Sequence, residues 1–225
     1  MSTGERRTPI LAAGLGLMSA ARWLTLQCYL RFLFPALWER GDLPVTTRVD
    51  ASTAYRHAVA MDVYYLCWMA LEVVILLVAA HRPTAMFLGI AQVLAVSRIV
   101  ELVRTGLNTS LFDQVTGRDD YSLASAPRLV LISLLAYLEL TACFAIIYAS
   151  HRELLIQANH SASTVADAIF FAALTQMTIS FGVQHPTGWL RAVATVQAFV
   201  GLLLVALIIA RMMSSLRPLK SLDRE

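Results

Sequence analysis

Residues 164–178 read TVADAIFFAALTQMT, residues 179–191 read ISFGVQHPTGWLR, and residues 192–210 read AVATVQAFVGLLLVALIIA. The first stretch is an apolar helix of about four turns, too short to cross a bilayer core about 30 Å thick. The last stretch is uncharged and long enough to cross it. Non-helical backbone at membrane depth is tolerated only where protein buries it or water lines it. This order predicts a re-entrant segment, in which a half-crossing helix and an irregular strand precede a full span.

The composition places the whole chain in a membrane. Of the 225 residues, 58% are hydrophobic and 15% are charged, whereas about a quarter of a soluble domain is charged. So little charge cannot cover a water-facing surface, which argues against a soluble enzyme and against a nucleic-acid-binding protein. The cysteines are odd in number and lack metal-ligand spacing, so we expect neither a disulfide framework nor a zinc site. They are Cys28, Cys67 and Cys143.

Three further apolar runs, at 58–80, 85–104 and 129–149, predict three more spans. The connection between the first two is only His81 to Thr84, so these helices are expected to be antiparallel neighbours. Basic residues after the last span place its C-terminal end in the cytoplasm. They are Arg211, Arg217, Lys220 and Arg224.

The apolar segment 9–38 is the candidate for a fifth span. Counting crossings back from the cytoplasmic tail places the loop that follows this segment inside. That loop carries more basic residues than the N-terminus, which favours a fifth span with the N-terminus outside. The basic residues are Arg40, Arg48 and Arg56 in the loop, and Arg6 and Arg7 at the N-terminus. The alternative is a helix in the membrane interface, because Arg22 falls near the middle of the segment.

The residues from Thr175 to Gly188 resemble the pore domain of two-span potassium channels, a bacterial ion-channel family. The family pattern is T-x-x-T-x-G-[YF]-G-D, with a proline three residues beyond the aspartate. The positions in register are Thr175, Thr178, Phe181, Gly182 and Pro186. The resemblance covers roughly residues 129–216 and implies an outer helix, a pore helix, a filter and an inner helix.

This resemblance implies a passive channel for monovalent cations, with potassium favoured. It also implies that the protein is not an enzyme and binds no cofactor apart from the permeating ion. A cation leaves water only if oxygens replace its hydration shell, and backbone carbonyls around an axis can provide them. One loop cannot surround an axis, so we expect a homotetramer in the cell membrane. The expected filter residues are Thr178, Ile179, Ser180, Phe181 and Gly182, and the expected pore-helix and mouth residues are Thr175, Asp167, Val183, His185 and Pro186.

Two positions depart from the family pattern. Ser180 stands where the family has its first glycine, and a serine at positive φ costs about 1 kcal/mol or more. Val183 stands where the family has the aspartate, which removes a carboxylate that would brace the filter. We therefore expect weaker discrimination between potassium and sodium. Two alternatives remain open: a non-conducting channel-like subunit, and a membrane-embedded transporter.

The predicted fold is an all-α integral membrane protein with four or five transmembrane helices plus a re-entrant pore helix and filter strand. Ser163 or Thr164 can cap the pore helix, and Asp167 suits its first turn.

The loops around Arg48 and Arg118 are expected on the cytoplasmic side of the membrane, and His81 and the 153–162 loop on the outer side. The predicted parts are membrane helices at 1–104, a cytoplasmic linker at 105–128, a pore domain at 129–216 and a cytoplasmic tail at 217–225.

Charges within the spans are candidates for function because they are costly in a membrane. Asp62 and Arg98 are expected at similar depth, where pairing would lock their helices together. Glu72 and Glu139 fall near mid-membrane, and Arg22 would neutralise them if its segment spans. A protonated glutamate that senses or relays protons is the alternative. Gly201 is either a hinge for gating or a close contact with a neighbouring helix.

Overall fold

The computed structural model describes residues 51–81, 83–107, 126–157, 164–179 and 184–215. Four long helices in these ranges are each long and apolar enough to cross a membrane, and a further helix, Val165–Gln176, is too short. The helices are α1 (Ala51–Ala80), α2 (Ala85–Leu107), α3 (Ala126–Ser150), α4 (Val165–Gln176) and α5 (Leu190–Ser215), and the two short strands are β1 (Leu155–Gln157) and β2 (Gln184–Pro186). The predicted all-α membrane fold is confirmed.

Each long helix extends beyond the apolar run that predicted it. The first begins at Ala51 rather than at residue 58, and the last continues to Ser215. Pro127 lies in the first turn of α3, where its missing N–H removes no helical hydrogen bond. The segment 9–38, with Arg22, lies outside the described residues, so the fifth span stays a prediction. The division of the chain at residues 104, 128 and 216 also stays a prediction.

Helix α3 is central to the part of the chain that the structure describes, because it packs against α1, α2, α4 and α5. Its residues from Cys143 to Ala149 are all buried, including those that would face lipid on a peripheral span. A helix that is apolar all round suits this position. Helices α1 and α2 instead expose Val and Leu side chains on their outer faces, and they contact each other through Tyr64, Arg98 and Glu101.

The connections expected on the outer side lie together at one end of the helices. The side chains of Gln92 and His151 are hydrogen bonded, with 2.7 Å between their Nε2 atoms. The His151 ring also contacts Trp189 edge to face, with 4.8 Å between ring centroids. The start of α2, the end of α3 and the start of α5 are thus at the same end. Which end faces the cytoplasm stays a prediction.

Candidate functional site

The short helix α4 begins with a capping box. The Thr164 hydroxyl accepts a hydrogen bond from the Asp167 amide at 3.2 Å, and the Asp167 carboxylate accepts one from the Thr164 amide at 2.6 Å. These two bonds satisfy backbone N–H groups that the first turn of a helix leaves unpaired. They define the start of a helix of twelve residues whose last residue is Gln176.

The helix ends in a Schellman motif, and Thr178 occupies the left-handed position. The Ile179 amide donates to the Leu174 carbonyl at 2.9 Å, and the Thr178 amide donates to the Thr175 carbonyl at 3.1 Å. Thr178 has φ of +57°, a conformation that costs residues other than glycine about 1–2 kcal/mol. The chain therefore leaves the helix at Thr178, the first residue of the predicted filter.

The rest of the predicted filter lies mostly outside the described residues. Ile179 is exposed, and Thr175 is half-buried on the last turn of α4. Of the predicted filter and mouth residues, those that the structure does not describe are Ser180, Phe181, Gly182 and Val183. The expected strain at Ser180 therefore stays a prediction, while the strain seen among the described residues falls at Thr178.

The chain beyond the predicted filter is tied to the end of α3 by a two-stranded antiparallel pair. In this pair Leu155 lies opposite Pro186, and Ile156 lies opposite His185. The Thr187 amide and hydroxyl both donate to the Leu154 carbonyl, each at 2.8 Å. His185 and Pro186 thus belong to β2, which sequence reasoning did not predict. Strands of three residues leave no periodic pattern to find.

A polar network behind α4 was also missed. Gln197 is fully buried in α5, and its Nε2 donates to the Ala172 carbonyl at 2.8 Å and to Gln176 Oε1 at 3.1 Å. Its Oε1 accepts a hydrogen bond from the Tyr148 hydroxyl at 2.8 Å. The signal was present in the sequence, because Gln197 is an amide near the middle of an apolar span, where polar side chains mark functional or packing sites.

Gly201 lies against the C-terminal end of α4. A Cβ at this position would lie 3.1 Å from the Gln176 carbonyl oxygen. On its other side, the same carbonyl accepts a hydrogen bond from the Tyr137 hydroxyl at 3.0 Å. Helix α5 runs without a break through Gly201. This geometry is that of a close packing contact, and the hinge role stays a prediction.

Arg98 is the centre of a buried charge cluster between α1, α2 and α3. It is 1% exposed, and its guanidinium pairs with Glu139 of α3 and, at 3.0 Å, with Glu101 of α2. Glu101 also accepts a hydrogen bond from the Tyr64 hydroxyl of α1 at 2.8 Å. The guanidinium carbon lies about 5 Å from three aromatic ring centroids, a cation–π arrangement. These rings belong to Tyr64, Tyr65 and Trp68.

The expected pairing of Arg98 with Asp62 is therefore wrong. Arg98 meets α1 through Tyr64, Tyr65 and Trp68, whereas Asp62 is only half-buried. Equal depth did not imply contact, because the rotation of each helix about its axis decides which side chains meet. Glu101 was missed although it lies three residues after Arg98, a spacing that places both on one helix face.

The two glutamates expected near mid-membrane are both buried. Glu139 pairs with Arg98, and Glu72 accepts a hydrogen bond from the Cys143 thiol at 3.0 Å. One carboxylate oxygen of each has no hydrogen-bond partner among the described residues. Arg22, the expected partner, lies outside those residues. The structure thus supplies Arg98 of α2 as the neutralising cation for Glu139.

Comparison with protein families places a known domain on this same region. A family model described as an ion channel matches residues 134–217, a little over a third of the chain. The match runs from α3 through β1, α4 and β2 to just beyond the end of α5. No curated protein and no solved structure is significantly similar to the chain. This region is therefore similar to ion channels, and it belongs to a multi-pass membrane protein.

Proposed function

We propose that the chain is one subunit of a passive channel for monovalent cations, and that potassium is its favoured ion. The observation that carries this proposal is the position of the ion-channel match. Its residues 134–217 take in most of a spanning helix, a half-length helix that ends at Gln176, and a second spanning helix. In this proposal residues 178–182 line the ion path, and the permeating cation is the only small ligand.

The electrostatics of α4 support a cation at its C-terminal end. A helix carries a partial negative charge at its C-terminus because its last carbonyls lack helical partners. Helix α4 has no basic residue in its last turn, so no positive side chain on that turn opposes a cation. Carbonyl oxygens near Thr178 would add to the same field.

The exposed apolar surface supports assembly into a homotetramer. Phe170 of α4 is 48% exposed and Phe199 of α5 is 69% exposed, although α4 lies beside the proposed ion path. Neighbouring copies would cover these side chains, and closed rotational symmetry is the usual arrangement of identical subunits. Four loops around one axis would then complete a filter, in the cell membrane.

The buried glutamates favour the channel over the transporter. A carrier that used Glu139 as its ion or proton site would need it to be accessible during transport. Glu139 is 1% exposed, and it pairs with Arg98 inside the helix bundle. A charge held this way suits a structural contact between α2 and α3.

Ion flux through purified protein in liposomes tests the proposal. We expect rapid passive potassium flux that barium blocks, and loss of that flux in Gly182→Ala, because a Cβ there would crowd the filter strand. Gly89→Ala is the matched control, since a Cβ at Gly89 meets no atom within 4 Å. Slow, saturable exchange that barium does not affect would indicate a carrier. Absence of flux in the wild type would indicate a non-conducting subunit.

A further inference from the structure

Three buried polar side chains, one each from α3, α4 and α5, are hydrogen bonded in series. Tyr148 of α3 and Gln197 of α5 are fully buried, and Gln176 of α4 is 2% exposed. Polar groups at membrane depth are costly unless they are hydrogen bonded to one another. We call this hydrogen-bonded series, Tyr148–Gln197–Gln176, the amide strut. The Gln197 side-chain amide accepts a hydrogen bond from Tyr148 and donates one to Gln176.

The strut holds the last turn of α4 at two points. Gln197 Nε2 donates to the backbone carbonyl of Ala172 and to the side chain of Gln176, which are one helical turn apart. The Tyr148 ring also contacts Phe171 of α4 edge to face, with 4.9 Å between ring centroids. A shift of α4 relative to α3 and α5 would break these contacts together.

Helix α5 also limits the position of Gln176 by direct contact. Gly201 lies one turn after Gln197, so both face α4, and a Cβ at residue 201 would lie 3.1 Å from the Gln176 carbonyl oxygen. The Tyr137 hydroxyl of α3 donates to that oxygen. Gln176 is thus held from α3 and α5, and Thr178 follows it by two residues.

We infer that the amide strut positions the C-terminal end of α4 and the first filter residues, and thereby determines the ion selectivity of the pore. The positioning follows from the contacts of Gln197 with the last turn of α4. The effect on selectivity rests on the proposed channel function. Gln197 and Tyr148 act as positioning residues, because neither belongs to the filter segment itself.

Variants of Gln197 and Tyr148 separate positioning from simple stability. Gln197→Leu removes both hydrogen bonds to α4 but leaves the Tyr148 hydroxyl and Gln176 Oε1 buried without this partner, which is destabilising. The double variant Tyr148→Phe/Gln197→Leu removes that hydroxyl as well, so we expect it to regain part of the lost thermal stability. Thr195→Val is the matched control on α5, since the exposed Thr195 hydroxyl donates to the Arg191 carbonyl of its own helix.

Amide hydrogen exchange measures positioning without requiring conduction. In the wild type, the Thr178 and Ile179 amides donate to the Thr175 and Leu174 carbonyls, so we expect both to be protected from exchange. We expect their exchange to be about tenfold faster in Gln197→Leu and in the double variant. This ratio corresponds to a decrease of about 1.4 kcal/mol in the free energy of local opening. Thr195→Val should exchange like the wild type.

The reversal potential under bi-ionic conditions measures selectivity. We expect a several-fold lower permeability ratio of potassium over sodium in the double variant, even though its stability recovers, and a wild-type ratio in Thr195→Val. Wild-type exchange and a wild-type ratio in the double variant would overturn the inference. If the wild-type protein passed no ions, the proposed function and the selectivity effect would fail, and amide exchange alone would decide the positioning role.

Discussion

Thr178 ends α4 in a conformation that a β-branched residue resists. The left-handed position of a Schellman motif is usually glycine, because a Cβ there crowds the following carbonyl. Thr178 is held there by two backbone hydrogen bonds and by its hydroxyl, which donates to the Met177 carbonyl at 2.7 Å. Strained residues of this kind persist where the surrounding structure fixes them.

Thr178→Gly should therefore stabilise the protein by about 1 kcal/mol through relief of this strain. The measurement is the apparent melting temperature in detergent. Thr195→Gly is the control, because Thr195 is exposed within α5 and the change should lower stability by about 0.5 kcal/mol through helix propensity. A lower melting temperature in both variants would contradict the strain at residue 178.

Arg98 could be predicted as a buried charge from the sequence, but its partners could not. Depth along a helix follows from counting residues at a rise of about 1.5 Å. The neighbours of a side chain depend on how each helix is rotated, and the Asp62 prediction failed for this reason. In the structure Arg98 joins three helices through Glu101, Glu139 and Tyr64.

Arg98→Met should lower stability by about 3–5 kcal/mol, because it leaves the Glu101 and Glu139 carboxylates buried beside no cation among the described residues. Arg98→Met/Glu139→Gln should regain part of that loss, since one uncompensated charge is removed. Thermal unfolding in detergent is the measurement, with the exposed Glu153→Gln as the control. An Arg98→Met protein that unfolds at the wild-type temperature would show that the cluster does not stabilise the bundle.

At the scale of the elements, the sequence predicted helices better than the contacts between them. The half-length helix was predicted at 164–178 and lies at Val165–Gln176. Its position between Gly201 and Tyr137 could not be predicted, because an apolar run has no polar face to show which side meets a neighbour. The pairing of β1 with β2 was missed because three-residue strands show no alternation.

Gly201→Ala should destabilise the protein by about 1–3 kcal/mol, because the added Cβ would lie 3.1 Å from both the carbonyl oxygen and the side-chain amide nitrogen of Gln176. Neither group moves freely, since Tyr137 and Gln197 hold them by hydrogen bonds. Gly89→Ala should be neutral or stabilising by up to about 1 kcal/mol, since it adds a better helix former in open space. Melting temperatures of the two variants decide between the roles of Gly201. Wild-type stability in Gly201→Ala, combined with altered channel opening, would favour the hinge.

For the whole molecule, the low charge content and the lengths of the apolar runs were sufficient to predict the spans. Each of the runs at 58–80, 85–104, 129–149 and 192–210 lies within a helix long enough to cross a membrane. The short connection from His81 to Thr84 did not make α1 and α2 each other's main neighbours, because both pack mainly against α3. This position of α3 could not be predicted, because it depends on contacts between segments that are distant in sequence.

Assembly is the property of the whole molecule on which the channel proposal depends. We expect chemical cross-linking in mild detergent to give a ladder that ends at four copies, because one chain supplies one loop and a filter needs a ring of loops. Cross-linking that stopped at a monomer or a dimer would leave the filter incomplete. The non-conducting alternative predicts the same ladder without flux, so this measurement tests assembly alone.

The central claim is that residues 178–182 select the permeating cation, and the reversal potential of Ser180→Gly in a planar bilayer tests it most directly. A glycine at residue 180 should relieve about 1 kcal/mol of backbone strain in each subunit, and more regular carbonyls should improve discrimination. Under bi-ionic conditions we expect the wild-type protein to favour potassium over sodium and Ser180→Gly to favour it more strongly. A wild-type pore without preference for potassium, and an unchanged reversal potential in Ser180→Gly, would contradict it.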